Sequence, residues 1–137
     1  MNTIIIIEDD IDDQDIIRTI LHEMRLENDI KFFDNGKDAF EFISKKETIP
    51  SIIISDINMP GMNGFELRDK IHEEEDLRVK CIPYLFLTNG GESRLIWQAY
   101  AKSAQGFFIK PSSLQEWKKL LYNIVDYWGS SKKPVVK

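Results

Sequence analysis

The sequence predicts an α/β fold, a five-stranded parallel sheet covered by five helices on both faces. Three observations predict it. Short runs rich in β-branched and aromatic residues recur along the chain: Ile4–Ile7, Ile30–Phe33, Ile52–Ser55, Tyr84–Leu87 and Phe107–Ile109. Most are apolar at consecutive rather than alternate positions, as in strands buried on both faces. Between them lie longer stretches with apolar residues at helical spacing, and alternating strands and helices imply a parallel sheet with helical layers on either side.

The elements follow in order. After Ile4–Ile7, the stripe Ile16, Ile17, Ile20, Leu21 and Met24 marks the first helix. Ile30–Phe33 is the second strand, Asp34-Asn35-Gly36 is turn chemistry, and Ala39, Phe40 and Ile43 mark a short second helix. Pro50 precedes the third strand, Ile52–Ser55. Phe65, Leu67, Arg68 and Ile71 define a third helix that runs to the acidic Glu73-Glu74-Glu75-Asp76, a solvated helix end whose charges oppose the helix dipole. Pro83 begins the fourth strand, Thr88-Asn89-Gly90-Gly91 breaks it, and Leu95, Ile96, Ala99 and Tyr100 give the fourth helix. Gly106 starts the fifth strand. Ser113 with Glu116 three residues later reads as a capping box. It opens a last helix with the stripe Leu114, Trp117, Leu121, Ile124 and Trp128, which Gly129 can end. Residues 1–129 are expected to form one domain, with 130–137 a flexible C-terminal tail.

Composition narrows the function classes. With 137 residues, 42% apolar and 30% charged, the chain suits one globular domain with a sizeable core. The net charge of −5 argues against a general nucleic-acid binder, which needs a basic surface. Only the short tail Lys132-Lys133-Pro134-Val135-Val136-Lys137 is basic. Met1-Asn2-Thr3 lacks the features of a secretory signal and no apolar run is long enough to span a membrane, so the expected location is cytoplasmic. Cys81, the lone cysteine, reads as a small buried hydrophobe flanking a strand. His22 and His72 match no metal-ligand spacing. Trp97 is open between ordinary packing and a partner contact.

The chemistry gathers at strand ends. Asp56 follows Ile52–Ser55 and opens the loop Asp56-Ile57-Asn58-Met59-Pro60-Gly61-Met62-Asn63-Gly64. Glu8-Asp9-Asp10 ends the first strand and Lys110-Pro111 the fifth. Ligands bind beyond the carboxyl ends of strands in open α/β sheets, and these ends would bring several acids together with one lysine. Mutually repelling carboxylates call for a cation. Magnesium takes one or two carboxylates, waters and a phosphate oxygen, which suggests phosphoryl transfer to a carboxylate. Asp10, Asp12 and Asp13 read as loop and first-turn acids favoured by the dipole of the first helix rather than as ligands.

Glu8-Asp9, Asp56, the Asn58–Gly64 loop, Thr88 and Lys110-Pro111, in this order and spacing, resemble the receiver domain of two-component response regulators, from about Ile4 to Trp128. The resemblance implies strand order 2-1-3-4-5, the flavodoxin-like receiver fold, and a chemotaxis-type, single-domain response regulator. It implies that Asp56 accepts a phosphoryl group from a sensor histidine kinase or phosphotransfer protein. Asp9, Asp56 and the backbone carbonyl of Asn58 would ligate Mg2+, with Glu8 acting mostly through a metal-bound water. Lys110 and Thr88 would contact phosphoryl oxygens, and Lys110–Pro111 would be a cis peptide. Phe107 would be the switch residue coupled to Thr88. A phenylalanine there, where tyrosine is common, favours an inward ring. Asn89 stands where the family usually has Ala or Gly, and is expected to slow loss of phosphate. Ile57 stands where some relatives carry a tryptophan beside the aspartate, so a fluorescence report of binding is not expected.

With no output domain expected after Trp128, output would run through an unknown downstream protein target, with no DNA or membrane partner and a possible homodimer through the fourth helix to fifth helix face. No substrate turnover is implied beyond phosphotransfer to itself and autodephosphorylation. Two alternatives belong to other classes. A haloacid dehalogenase-type phosphatase needs a second acid two residues after its nucleophile, where this chain has Asn58. A phosphorylation-independent adaptor would suit a degenerate pocket.

Overall fold

The computed structural model describes residues 3–45, 47–48, 50–78 and 80–131. Five strands alternate with helices: β1 (Thr3–Ile7), α1 (Ile11–Glu23), β2 (Asp29–Phe33), α2 (Gly36–Ser44), β3 (Pro50–Ser55), α3 (Gly64–Glu73), α4 (Glu75–Arg78), β4 (Tyr84–Thr88), α5 (Ser93–Ala101), β5 (Gly106–Ile109) and α6 (Leu114–Ser130). The strands are parallel in the order β2-β1-β3-β4-β5, as the resemblance implied. The basic tail 132–137 lies outside the described residues.

Alternate side chains of each central strand enter opposite cores, the two-residue period of a pleated strand. Ile5, Ile7, Ile53, Tyr84 and Phe86 pack under α2, α3 and α5 with Ala39, Ile43, Leu67, Ile71 and Ala99. Ile4, Ile6, Ile52, Ile54, Leu85 and Leu87 pack under α1 and α6 with Ile17, Ile20, Leu21, Trp117, Leu121 and Ile124. Each fully buried isoleucine or leucine contributes roughly 1.5–3 kcal/mol of transfer free energy, and this two-sided burial is why the central strands read as unbroken apolar runs. The edge strand β2 is only partly covered, and the Arg18 guanidinium lies over the Phe32 ring at 4.3 Å.

The structure differs from the sequence reading at several points. Six helices are described rather than five. Glu74 takes an extended conformation, ends α3, and its carbonyl accepts the N–H groups of Leu77 and Arg78. Leu77 is buried, so a four-residue helix forms to seat it. Glu75 and Asp76 therefore sit in a first turn, where their charge favours the dipole, instead of opposing one at a helix end. Pro50 lies inside β3 as its first residue, where its missing N–H is tolerated. Cys81 is exposed, not buried. It closes the turn after α4 with φ 51, and the next residue, Ile82, takes the buried place. Leu114 is exposed, because α6 turns its buried face only from Trp117 onward. Gly129 does not end α6, which continues to Ser130. Ser113 caps α6 by accepting the Glu116 N–H, but its hydroxyl donates to the Glu116 carboxylate, so the box is closed between side chains.

Candidate functional site

The strand ends gather the predicted site. Glu8, Asp56 and Lys110 each follow a strand by one residue, and each backbone N–H makes one further rung. Glu8 donates to Phe33 O at 2.9 Å, Asp56 to Ile7 O at 3.0 Å and Lys110 to Thr88 O at 2.8 Å. The ladder thus fixes the backbone from which each side chain departs. The loop after Asp56 is held from below. Gly64 N–H donates to Ile57 O at 2.8 Å, the buried Tyr84 hydroxyl donates to Gly64 O at 3.0 Å, and the Ser55 hydroxyl donates to Asp56 O at 2.7 Å. A Cβ at Gly64 would lie 2.1 Å from Asp56 O, so only glycine lets α3 start this close to the aspartate. Gly61, with φ +73, makes the turn between them in the left-handed region. A reciprocal capping box between Asn63 and Glu66 pins the start of α3.

Glu8, Asp9 and Asp56 each bring a carboxylate oxygen within 4.8 Å of the other two. Glu8 and Asp56 are buried and Asp9 is exposed. Asn58 lines a shallow cavity of about 390 Å³ beside Asp9, with Met59, Pro60, Gly61 and Asn63. An all-oxygen donor set of this kind fits a hard divalent cation. The local electrostatics fit one as well. Burial pushes the Glu8 carboxyl up to about 7, against the lowering bond from Lys110, and the neighbouring Asp56 charge pushes it further the same way. A divalent ion would relieve the desolvation and repulsion that raise it.

Lys110 already supplies one positive charge. Its side chain is 4% exposed, and its ammonium meets Asp13 Oδ2 at 2.7 Å, Glu8 Oε1 at 2.8 Å and Asp56 Oδ2 at 2.9 Å. Burial alone would push the ammonium down, but its bonds to Asp13, Glu8 and Asp56 outweigh burial and hold it above the ordinary lysine range. The other Asp56 oxygen accepts the Ile57 N–H at 2.7 Å, and Glu8 Oε2 accepts the Asp10 N–H at 3.1 Å. The Gln14 side-chain amide donates to the Glu8 carbonyl.

Other predicted residues stand around this centre. Thr88 is buried at the end of β4. Asn89, next along, is exposed. Phe107 is half-buried and packs against the core under α2, α3 and α5. Asp10 is the α1 N-cap and accepts the Asp13 N–H at 3.0 Å. The Lys110–Pro111 bond is trans, not cis. Trans is intrinsically favoured at X–Pro by about 0.5–1 kcal/mol, and in this form the lysine already reaches its three carboxylates. Asp13, read as a first-turn acid, is part of the site. The available signal was positional: with Asp10 as N-cap, the residue three later lies back over the cap and toward the strand ends. His22, His72 and Trp97 are exposed, and no described helix is long and apolar enough to cross a membrane.

The 2-1-3-4-5 parallel sheet, with an acidic triad and a lysine at its carboxyl edge, is the arrangement that the resemblance to receiver domains implies. Residues 4–122 match the response regulator receiver domain family, and the chain belongs to it. It is 27% identical over 118 residues to a chemotaxis protein CheY homolog from Campylobacter jejuni, covering 84% of this chain and 88% of that one. Its fold superposes on the Mn(2+)-bound form of response regulator Rcp1 with a TM-score of 0.87, at 20% identity over 98% of this chain and 100% of that chain. It also superposes on the phosphorylated cyanobacterial phytochrome response regulator RcpA with a TM-score of 0.88, at 20% identity over 98% and 99% of the two chains. Neither the phosphatase nor the adaptor alternative finds support in these likenesses.

Proposed function

We propose that this receiver takes a phosphoryl group on Asp56 from a phosphohistidine of a sensor kinase or phosphotransfer protein, and that the modified state changes a protein-binding surface. The observation that carries the reading is the buried Asp56 carboxylate, 2.9 Å from the Lys110 ammonium and within 4.8 Å of the Glu8 and Asp9 carboxylates. The bond from the Ile57 N–H to Asp56 Oδ1 fixes the carboxylate plane. Transfer of this kind depends on positioning and on charge stabilisation. Asp9, Asp56 and the Asn58 carbonyl would hold Mg2+, with Glu8 through water. Bound there, the ion would neutralise the acids and the transferring group. Lys110 would take one phosphoryl oxygen and the Thr88 hydroxyl another, drawing the ends of β4 and β5 inward. Phe107, packed against that region, would register the movement. Asn89, exposed beside Thr88, would stand in the path of attacking water and slow loss of the group.

Output runs in this reading through contact with a downstream protein in the cytoplasm, without DNA or membrane. The exposed Trp97 and Tyr100 of α5, Ile109 of β5 and Leu114 of α6 make the α5–β5–α6 face the surface for that contact or for a homodimer, since aromatic residues favour interface centres. The test is an amide NMR spectrum recorded with Mg2+ and a small phosphodonor. Shifts centred on Asp56, Thr88, Phe107 and Lys110, absent in Asp56→Asn, are expected. Identical spectra for both chains would refute the reading.

A further inference from the structure

Asp13 lies outside the metal-binding triad yet makes the shortest of the three bonds to Lys110, at 2.7 Å. An ammonium has three N–H donors, and Lys110 has three carboxylate partners: Asp13, Glu8 and Asp56. Its donor capacity is filled before any phosphoryl oxygen arrives. A phosphoryl group on Asp56 takes over that residue's own bond to the lysine, and any further phosphoryl contact with Lys110 competes with the carboxylates that remain, Glu8 and Asp13. Glu8 and Asp56 are the more enclosed, with side chains 2% and 8% exposed, and both face the metal position. The Asp13 side chain is 20% exposed, so it alone of the three can turn out and be rehydrated at little cost. Asp13 is also fixed independently of the pocket, since its backbone N–H is tied to the Asp10 cap.

Building on the phosphoacceptor reading above, we propose that Asp13 is the resting counterion of Lys110 and competes with the phosphoryl group for it. The residue is then a positioning and regulatory device. It keeps the lysine inside the pocket when Asp56 is unmodified, and it weakens the closure of the pocket around the phosphoryl group when Asp56 is modified. Asp9 does not serve in this way, because the ion pairs of Lys110 among the described residues are with Glu8, Asp13 and Asp56.

The test is calorimetric titration of beryllium trifluoride, a phosphoryl mimic, at saturating Mg2+, into wild type, Asp13→Asn, Lys110→Ala and the double variant. Binding is expected to tighten in Asp13→Asn by about tenfold, the scale of one charge-assisted hydrogen bond. In the Lys110→Ala background the same change is expected to matter by less than about twofold, the mark of an interaction that runs through the lysine. Unchanged or weaker binding in Asp13→Asn would overturn the proposal. So would an equal gain in both backgrounds, which would make Asp13 a merely repelling charge. A second readout needs no variant: the Asp13 carboxyl carbon NMR signal of wild type is expected to shift when the mimic binds, and a stationary signal would overturn the proposal. If wild type takes up no mimic at all, the phosphoacceptor reading falls, and this inference with it.

Discussion

At the scale of single residues, the site is a problem of charge. Three acids, Glu8, Asp13 and Asp56, meet one lysine, and a fourth, Asp9, lies beside Glu8 and Asp56; burial makes Glu8 the acid that resists ionisation, its carboxyl pushed up to about 7 from 4.5. Because the folded value is raised, ionising Glu8 opposes folding. Its contribution to stability is fully present below the ordinary carboxylate range and is lost as the pH rises from about 4.5 to about 7. A divalent cation prefers the ionised form, so protons compete with it. The rise in Tm produced by saturating Mg2+ is expected to grow from pH 5.5 to pH 8, and a thermal-shift series checks it. A constant increment across that range would show that Glu8 does not titrate with metal binding. Asn89→Ala is expected to shorten the aspartyl-phosphate lifetime, measured by the decay of labelled protein; an unchanged lifetime would remove Asn89 from the mechanism. Glu8, Asp56 and Lys110 were legible in the sequence because each directly follows a strand, and Asp9 because it adjoins Glu8. The sequence did not reveal Asp13 as a partner of Lys110, because that bond depends on how α1 is rotated over the sheet. It misplaced Cys81 because a left-handed backbone turns the side chain away from a strand that begins three residues later.

At the scale of elements, the loop between β3 and α3 is held by backbone contact rather than by side-chain packing. Gly64→Ala would force a Cβ against Asp56 O, and the resulting shift is expected to destabilise the fold by about 2 kcal/mol, as overpacking does, and to impair phosphorylation as well. Urea unfolding together with labelling checks both. Wild-type stability with wild-type labelling would mean that the loop yields. Removing the cap in Ser113→Ala is expected to cost about 1 kcal/mol with labelling retained, which separates general stability from the site. Strands and helices were readable from apolar runs and helical spacing. The break at Glu74 was not, because a run of four acids offers no apolar period, and only the burial of Leu77 reveals the second helix.

At the scale of the whole molecule, alternating strands and helices implied a parallel sheet, but the strand order came from the resemblance carried by the site residues, and the sheet agrees with it. Output requires that events at Asp56 bias a distant surface, which is a coupling free energy between two sites. Lys110 links the end of β5 to Asp56, so Lys110→Ala is expected to leave some labelling of Asp56 while abolishing the phosphorylation-dependent change in partner binding or self-association. Sedimentation of labelled and unlabelled protein reads the latter, with Trp97→Ala expected to weaken any phosphorylation-dependent dimer. A dimer indifferent to both changes would place the interface elsewhere.

The measurement that bears most directly on the central claim is intact-mass analysis after incubation with a small phosphodonor and Mg2+, comparing wild type with Asp56→Asn. The account predicts one added phosphoryl group on wild type, none on Asp56→Asn, and none on wild type when the metal is chelated beforehand. No adduct on wild type, under conditions that label another receiver, would contradict it, as would an adduct that survives the loss of Asp56.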